Sequence, residues 1–308
     1  MITTVTLNPM LDKTIPIDAL RRGVITRAAS LEAVVGGKGI NVSRQLKMLG
    51  EETVATGFVG GEVGFQLERM LEAEGISHEF VRVLGMTREG VTYREPDGTS
   101  TSIFEPPHRV TADEAERLIG KCSLLTSSNS WVVCSGSSPC TESDGVFRAI
   151  VASCRARGIP VVLDSYGEAF RDAIDAVPTL VKPNRHECEQ TFGRTLAGED
   201  DLIAAARDLV GRGIRYVIIS DGAQPCIAAT ADAVWAAVPP QITAVNATGS
   251  GDTMVAGLLH GLMQGWPFAD CLAFAVAAGA ANASMWSVSS APRSDILALL
   301  PRVTVRKL

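Results

Sequence analysis

Two glycine-rich segments carry residue types suited to handling phosphate and protons. The first reads Asn246-Ala-Thr-Gly-Ser-Gly-Asp-Thr-Met-Val-Ala-Gly257 and passes from a turn into an apolar stretch. Glycines at 249 and 251 let successive backbone N–H groups converge on one space. A helix starting there adds its N-terminal dipole, so Gly249, Ser250 and Gly251 can stabilise charge on a phosphoryl group. Asp252 falls in the first turn, where the same dipole favours the ionised carboxylate. An ionised Asp can accept the proton of a hydroxyl as its oxygen attacks phosphorus. Asp is also a favoured helix-capping residue, which is the structural alternative at this position.

The second segment reads Val35-Gly-Gly-Lys-Gly-Ile-Asn-Val-Ser43. Gly37 permits close approach of a ligand, Lys38 offers a cation, and Asn41 offers an amide that can donate to and accept from sugar hydroxyls. A tight strand-to-helix turn would use the same glycines. No GxxxxGK[ST] run occurs, and Gly-Gly-Lys-Gly-Ile-Asn lacks the GxGxxG spacing. The P-loop and the dinucleotide fingerprint are therefore both excluded.

Both segments need a scaffold of strands that deliver loops to one place. Short apolar runs read as strands at Thr3–Leu7, Val54–Val59, Trp131–Cys134, Val161–Asp164, Leu180–Val181 and Tyr216–Ser220. Between them, helical patterns cover Ile40–Leu49, Gly64–Glu74, Ala112–Lys121, Ser143–Arg157, Glu187–Phe192 and Asp200–Gly213. Alternation of this kind predicts an α/β fold with a mostly parallel sheet between two helix layers. Residues 12–35 and 87–104 break the rhythm. They are polar and carry turn signals such as Glu95-Pro-Asp-Gly98, which predicts β-hairpins forming a small discontinuous β-sheet lid on a single domain of residues 1–308.

Composition narrows the function classes. The 308 residues carry 28 Lys+Arg against 34 Asp+Glu, a net charge of −6, so a general nucleic-acid or anionic-membrane binder is disfavoured. Positive charge for an anionic substrate must then be local. Seven cysteines without a CxxC pair and four scattered histidines give no zinc or disulfide framework, and free thiols fit a cytoplasmic protein. No secretory signal is expected at the N-terminus. Cys271–Pro292 has membrane-span length without a charge, but its Ala, Gly and Ser content and Asn282 predict a buried helix instead.

With Thr6-Leu-Asn-Pro-Met-Leu-Asp12 and Val181-Lys-Pro-Asn-Arg-His-Glu187, the two glycine segments resemble, in order and over nearly the whole chain, the ribokinase-like (PfkB) carbohydrate kinases. The resemblance implies a ribokinase-like three-layer sandwich, with Asp252 at the position of the catalytic base. It implies nucleotide contacts at Lys182, Asn184, Ser220 and Gly222 together with the Gly249 and Gly251 loop. Glu187 would stand in an outer shell around Mg2+, acting through water.

Gly85-Met-Thr-Arg-Glu89 and Glu95-Pro-Asp-Gly-Thr99 are similar to the phosphosugar branch, which includes 1-phosphofructokinases and tagatose-6-phosphate kinases. That branch implies ATP and Mg2+ as cofactors and a sugar phosphate as substrate, with fructose 1-phosphate converted to fructose 1,6-bisphosphate. Asp12, Lys38 and Asn41 would hold the sugar and Arg88 its phosphate. Arg27 would reach the phosphate from the other subunit of a homodimer built through the lid. Tagatose-6-phosphate or fructose-6-phosphate kinase is the alternative, followed by a kinase of unphosphorylated sugars or nucleosides and by a non-catalytic sugar-phosphate sensor. Four departures from the branch's pattern bear on selectivity and the adenine pocket: Asp221, Glu89-Gly90, Phe104 and the tail Ala281–Val288.

Overall fold

The computed structural model describes residues 1–126 and 131–308. In chain order it forms β1 (Ile2–Thr6), β2 (Met10–Pro16), β3 (Glu32–Gly36), α1 (Lys38–Met48), β4 (Thr53–Val59) and α2 (Gly61–Glu74). Two short strands, β5 (Ser77–His78) and β6 (Val81–Arg82), precede the hairpin β7 (Arg88–Arg94) and β8 (Ser100–Phe104). The middle of the chain gives α3 (Ala112–Leu125), β9 (Trp131–Ser135), α4 (Val146–Ala156), β10 (Val161–Asp164), α5 (Gly167–Ile174), β11 (Leu180–Val181), α6 (Arg185–Phe192) and α7 (Glu199–Gly211). The last part gives β12 (Tyr216–Asp221), β13 (Gln224–Ala229), β14 (Val234–Val238), α8 (Ser250–Met263), α9 (Phe268–Ala283), α10 (Arg293–Leu299) and β15 (Thr304–Lys307).

The large sheet runs β15-β14-β13-β12-β11-β10-β9-β1-β4-β5, with β6 also on β4. Pairing is parallel from β4 through β1 to β12 and antiparallel across β13, β14 and β15. The strands β9 to β12 are largely apolar on both faces because both are covered. Val132, Val161, Leu163, Val217 and Ile219 pack toward α3 to α7. Their alternating neighbours Val133, Val162 and Ile218 pack toward α1, α8 and α9. This is the three-layer α/β sandwich expected from the alternation of strands and helices.

The antiparallel edge is a difference from the sequence reading, which placed no strand after Ser220. Runs such as Cys226-Ile-Ala-Ala229 and Val234-Trp-Ala-Ala-Val238 are rich in Ala, which has little strand preference of its own. They are strands because burial against α7 and α9 selects them. The helix read from Ser143 begins at Val146, after a 3-10 turn at Thr141–Ser143.

The charge-free stretch is α9 and its exit loop, lying against α8. A Cβ on Gly257 would come within 3.1 Å of the Ala278 methyl, so small residues set the close approach of the two helices. Among the described residues no helix is long and apolar enough to cross a membrane.

The second sheet has the order β3-β2-β7-β8. Asp12 stands opposite Val34 and Gly90, and Gly90 opposite Phe104, so these residues form one row across the sheet and share a face.

Candidate active site

Every central strand from β1 to β12 points its carboxyl end at the same region, where ligands of open α/β sheets bind. Asp164 closes β10, Lys182 follows β11, and Ser220 to Gly222 lead out of β12. Lys38 and Asn41 open α1, and Ser250 to Asp252 open α8.

Gly249 adopts φ 77°, the left-handed conformation that turns the chain into α8. A Cβ there would come within 2.5 Å of Ser289 Oγ, so the turn has no room for a side chain. Asn282, fully buried on α9, donates to Thr248 O at 2.8 Å and to Ser250 Oγ at 3.0 Å, and accepts from Ser289 N at 2.6 Å. This single amide fixes the turn from behind, leaving the N-terminus of α8 facing the cleft. The Nζ of Lys182 lies 3.3 Å from the position a Cβ on Gly251 would take, so an ammonium adjoins the glycine turn.

Asp252 is 5% exposed and accepts from Asn41 Nδ2 at 2.8 Å through Oδ2. Burial pushes its carboxyl up to about 7, with Asp164 adding to the rise and Lys38, Asn41 and Lys182 opposing it. The helix N-terminus favours the ionised form of this carboxyl, and burial works against it. A base with such a value combines availability with proton affinity.

A chain of charges holds the cations in place. Lys38 Nζ donates to Glu187 Oε1 at 2.6 Å and lies 3.5 Å from Asp164 Oδ1. Lys182 Nζ stands 3.4 Å from the same Asp164 oxygen. Burial works against the charge of Lys38, but Asp164, Glu187 and Asp252 together hold its pKa well above the ordinary lysine value. Asp164 is fully buried; burial would raise it, yet Lys182 and Lys38 hold it below the usual carboxylate range.

Both glutamate oxygens of Glu187 are engaged, since Oε2 accepts from Asn184 N at 2.8 Å while Asn184 Oδ1 caps the Glu187 N–H. Such a carboxylate suits contact with a metal through water better than direct ligation. Among the described residues, no cluster of three His, Cys, Asp or Glu side chains could hold a metal ion by itself.

Arg88 starts β7 and Asp12 lies two residues along the paired β2. The Arg88 guanidinium is partly buried, with Nε lacking a partner; burial lowers its pKa while Tyr166 and Asp12 favour its charge. Burial likewise raises Asp12, against the pull of Arg88. Lys38 Nζ lies 5.8 Å from the centroid of the Tyr166 ring. Among the described residues the Arg88 guanidinium makes no salt bridge, and an unpaired guanidinium suits an anion.

Trp286, in the loop after α9, ties the small sheet to the body. Its Nε1 donates to Glu32 Oε2 at 2.6 Å, and the Arg94 guanidinium lies 4.1 Å from its ring centroid. Its carbonyl accepts from Asn246 Nδ2 at 3.0 Å, at the start of the glycine turn.

The structure therefore brings Asp252, Asn41, Lys38, Lys182 and Glu187 into one contiguous cluster, while Asp12 and Arg88 stand beside each other on the small sheet. Gly37 adopts φ 135° and lies against Thr6, holding the start of α1 close to β1. Ser220 N donates to Pro183 O at 3.2 Å, which sets the β12 exit beside Lys182 and Asn184. Gly222, at φ 58°, turns that exit into β13. Arg27 is exposed on the connection from β2 to β3. A cleft of about 480 Å³, lined by Trp131, Val161, Thr179 and Tyr216, opens instead at the amino ends of β9 to β12 and includes none of these site residues.

As parts of the site, Asp164, Asn282 and Arg44 were not expected from the sequence. Asp164 had a usable signal, a charge ending the buried run Val161-Val-Leu; Asn282 had one too, as the lone amide in an alanine-rich helix.

The chain matches the family described as pfkB family carbohydrate kinase over residues 5–292. It is 33% identical to 1-phosphofructokinase of Escherichia coli (strain K12), covering 99% of this chain and 98% of that protein. It is 32% identical to 1-phosphofructokinase of Bacillus subtilis (strain 168), covering 100% of both. The crystal structure of phosphofructokinase-2 from Escherichia coli in complex with fructose-6-phosphate superposes with a TM-score of 0.88 at 27% identity, covering 97% of this chain and 98% of that one. Sequence match, fold and a glycine turn carrying Asp252 converge, and the chain belongs to the pfkB family of carbohydrate kinases.

Proposed function

We propose that this carbohydrate kinase phosphorylates a sugar phosphate with ATP, converting fructose 1-phosphate to fructose 1,6-bisphosphate. The observation that carries the reading is the buried Asp252 carboxylate, placed between the N-terminus of α8 and the cations Lys38 and Lys182.

The sugar binds between Asp12 on the small sheet and Asn41 on α1, with Arg88 on the phosphate it already carries. An Arg fork suits that anion because it can bond two phosphate oxygens at once. ATP lies over Ser220 to Gly222 with its phosphates at Lys182, Gly249 and Gly251. The acceptor hydroxyl oxygen forms its bond to the γ-phosphorus as the bond from that phosphorus to the bridging oxygen of ADP breaks. The hydroxyl proton passes to Asp252 Oδ1, and the N–H groups of Gly249 to Asp252 take the charge growing on the transferred phosphoryl. Lys38 acts through its charge, since its ammonium is engaged with Glu187 and Asp164.

The residues present fit Mg2+ held mainly by phosphate and water, with Glu187 reached through water. When bound, the ion neutralises charge on the nucleotide phosphates.

The small sheet acts as a lid that keeps water from the phosphoryl group, with Trp286 as its contact to the glycine turn. A homodimer through this lid, with Arg27 serving the neighbouring site, is supported by its open outer strands and by exposed Ile25 and Ile103. Free thiols at all seven cysteines support a cytoplasmic setting.

ADP release, measured over free and phosphorylated hexoses with Mg2+ and ATP, tests the reading. Fructose 1-phosphate should be the preferred acceptor. Preference for fructose 6-phosphate or tagatose 6-phosphate would move the activity within the branch, and equal use of free fructose would remove Arg88 from its role.

A further inference from the structure

Arg44 lies one turn beyond Asn41 on α1, with a side chain only 13% exposed. Its Nε donates to Glu74 Oε2 at 2.6 Å and its Nη2 to Glu74 Oε1 at 3.1 Å, a two-point grip that fixes the guanidinium plane. The Nη2 also donates to Val35 O at 3.0 Å. The remaining arm, Nη1, donates to Asn41 Oδ1 at 2.9 Å.

A guanidinium has donors and no acceptor. The Asn41 atom facing it must be the carbonyl oxygen. The Asn41 NH2 then points the other way, and it donates to Asp252 Oδ2 at 2.8 Å. With Oδ2 accepting from the amide, Oδ1 keeps its lone pairs for a substrate proton. An amide free to turn over would present its oxygen to Asp252 instead, and an oxygen there favours the protonated acid.

We infer that Arg44, held by Glu74, is a positioning residue for phosphoryl transfer: it sets the orientation of the Asn41 amide and thereby keeps Asp252 an acceptor with one oxygen free. This rests on Asp252 being the base. The other charged groups facing Asp252 are Lys38 from α1, Asp164 from the end of β10 and Lys182 after β11, and none of them pairs with Arg44.

The test is the pH dependence of kcat/KM for the sugar phosphate in Arg44→Met, Arg44→Lys and Glu74→Gln, beside Asp252→Asn. Arg44→Met should lower kcat/KM at pH 7 about fivefold and move the acid limb up by about one pH unit, with KM for ATP unchanged. Arg44→Lys, which can still donate to Asn41 Oδ1, should restore most of the rate and the original limb. Glu74→Gln should move the limb the same way by less, and it decides the matter if Arg44→Met does not fold. An unmoved limb in the folded variants, with Asp252→Asn inactive, overturns the role of Arg44 and leaves the base in place. An active Asp252→Asn overturns both.

Discussion

Phe104 lies over Gly90, its cross-strand partner in the small sheet, so closely that a Cβ on Gly90 would sit 2.6 Å from Phe104 Cδ1. These positions are two of the departures from the phosphosugar pattern, and the contact makes them one unit: the absent side chain of Gly90 is the space the ring occupies. The row continues to Asp12, so the half-exposed ring stands beside the residue assigned to the sugar.

Phe104→Ala should raise KM for the sugar phosphate about fivefold while leaving KM for ATP unchanged, because an aromatic face of this size contributes about 1 kcal/mol. Gly90→Ala should give a similar rise by displacing the ring. The double variant should be little worse than either single one, a coupling that independent sites would not give. Steady-state kinetics of the three variants measure it.

Arg88→Ala removes the guanidinium beside Asp12. KM for a phosphorylated acceptor should rise by about two orders of magnitude, in keeping with loss of a charge-assisted, two-point contact. The weak rate with a free hexose should be unchanged. Parallel assays with the two acceptor types check the difference.

Gly249→Ala places a methyl against Ser289 Oγ and Val288 in a turn held at positive φ. Strain of this kind costs about 1–3 kcal/mol. The melting temperature should fall, and kcat should fall more than substrate affinity, because the displaced N–H groups matter most as charge develops. Thermal melts and single-turnover kinetics separate the two effects.

Asp252 is raised from the ordinary carboxylate value to about 7, chiefly by burial. Only the ionised form accepts a proton, so log kcat/KM should fall as pH drops through about 7, with a slope approaching one. The same shift fixes the sign for stability. The folded protein keeps a proton that the unfolded chain releases, so the Asp252 contribution is complete below pH 3.8 and is lost as pH rises through about 7. Melts at pH 5 and pH 8 should therefore show the parent losing more stability than Asp252→Asn. Asp164, whose pKa is lowered, has the opposite sign: its contribution is complete above pH 3.8 and is lost as pH falls below that value.

The parallel core was legible in the sequence because runs such as Val161-Val-Leu and Tyr216-Val-Ile-Ile are apolar on both faces and end at polar turns. Both glycine segments were legible because close backbone approach restricts residue type more tightly than packing does. The β13–β15 edge was not, since Ala-rich segments become strands only through the partners that cover them. The lysine cluster was half legible. Lys38, Lys182 and Glu187 sit in recognisable motifs, but Asp164, which stands between the two lysines, ends β10 outside any motif, and only the fold brings the four together. Arg44 reads as an ordinary surface residue of α1 until Glu74, thirty positions on, closes over it.

The most direct measurement is turnover of Asp252→Asn with fructose 1-phosphate and ATP, alongside binding of the nucleotide to the same variant. Asn keeps the size of the side chain and removes its ability to take a proton. Turnover should fall by about 10²–10⁴ with nucleotide affinity retained. Turnover within a few-fold of the parent would contradict the assignment of this carboxylate as the base.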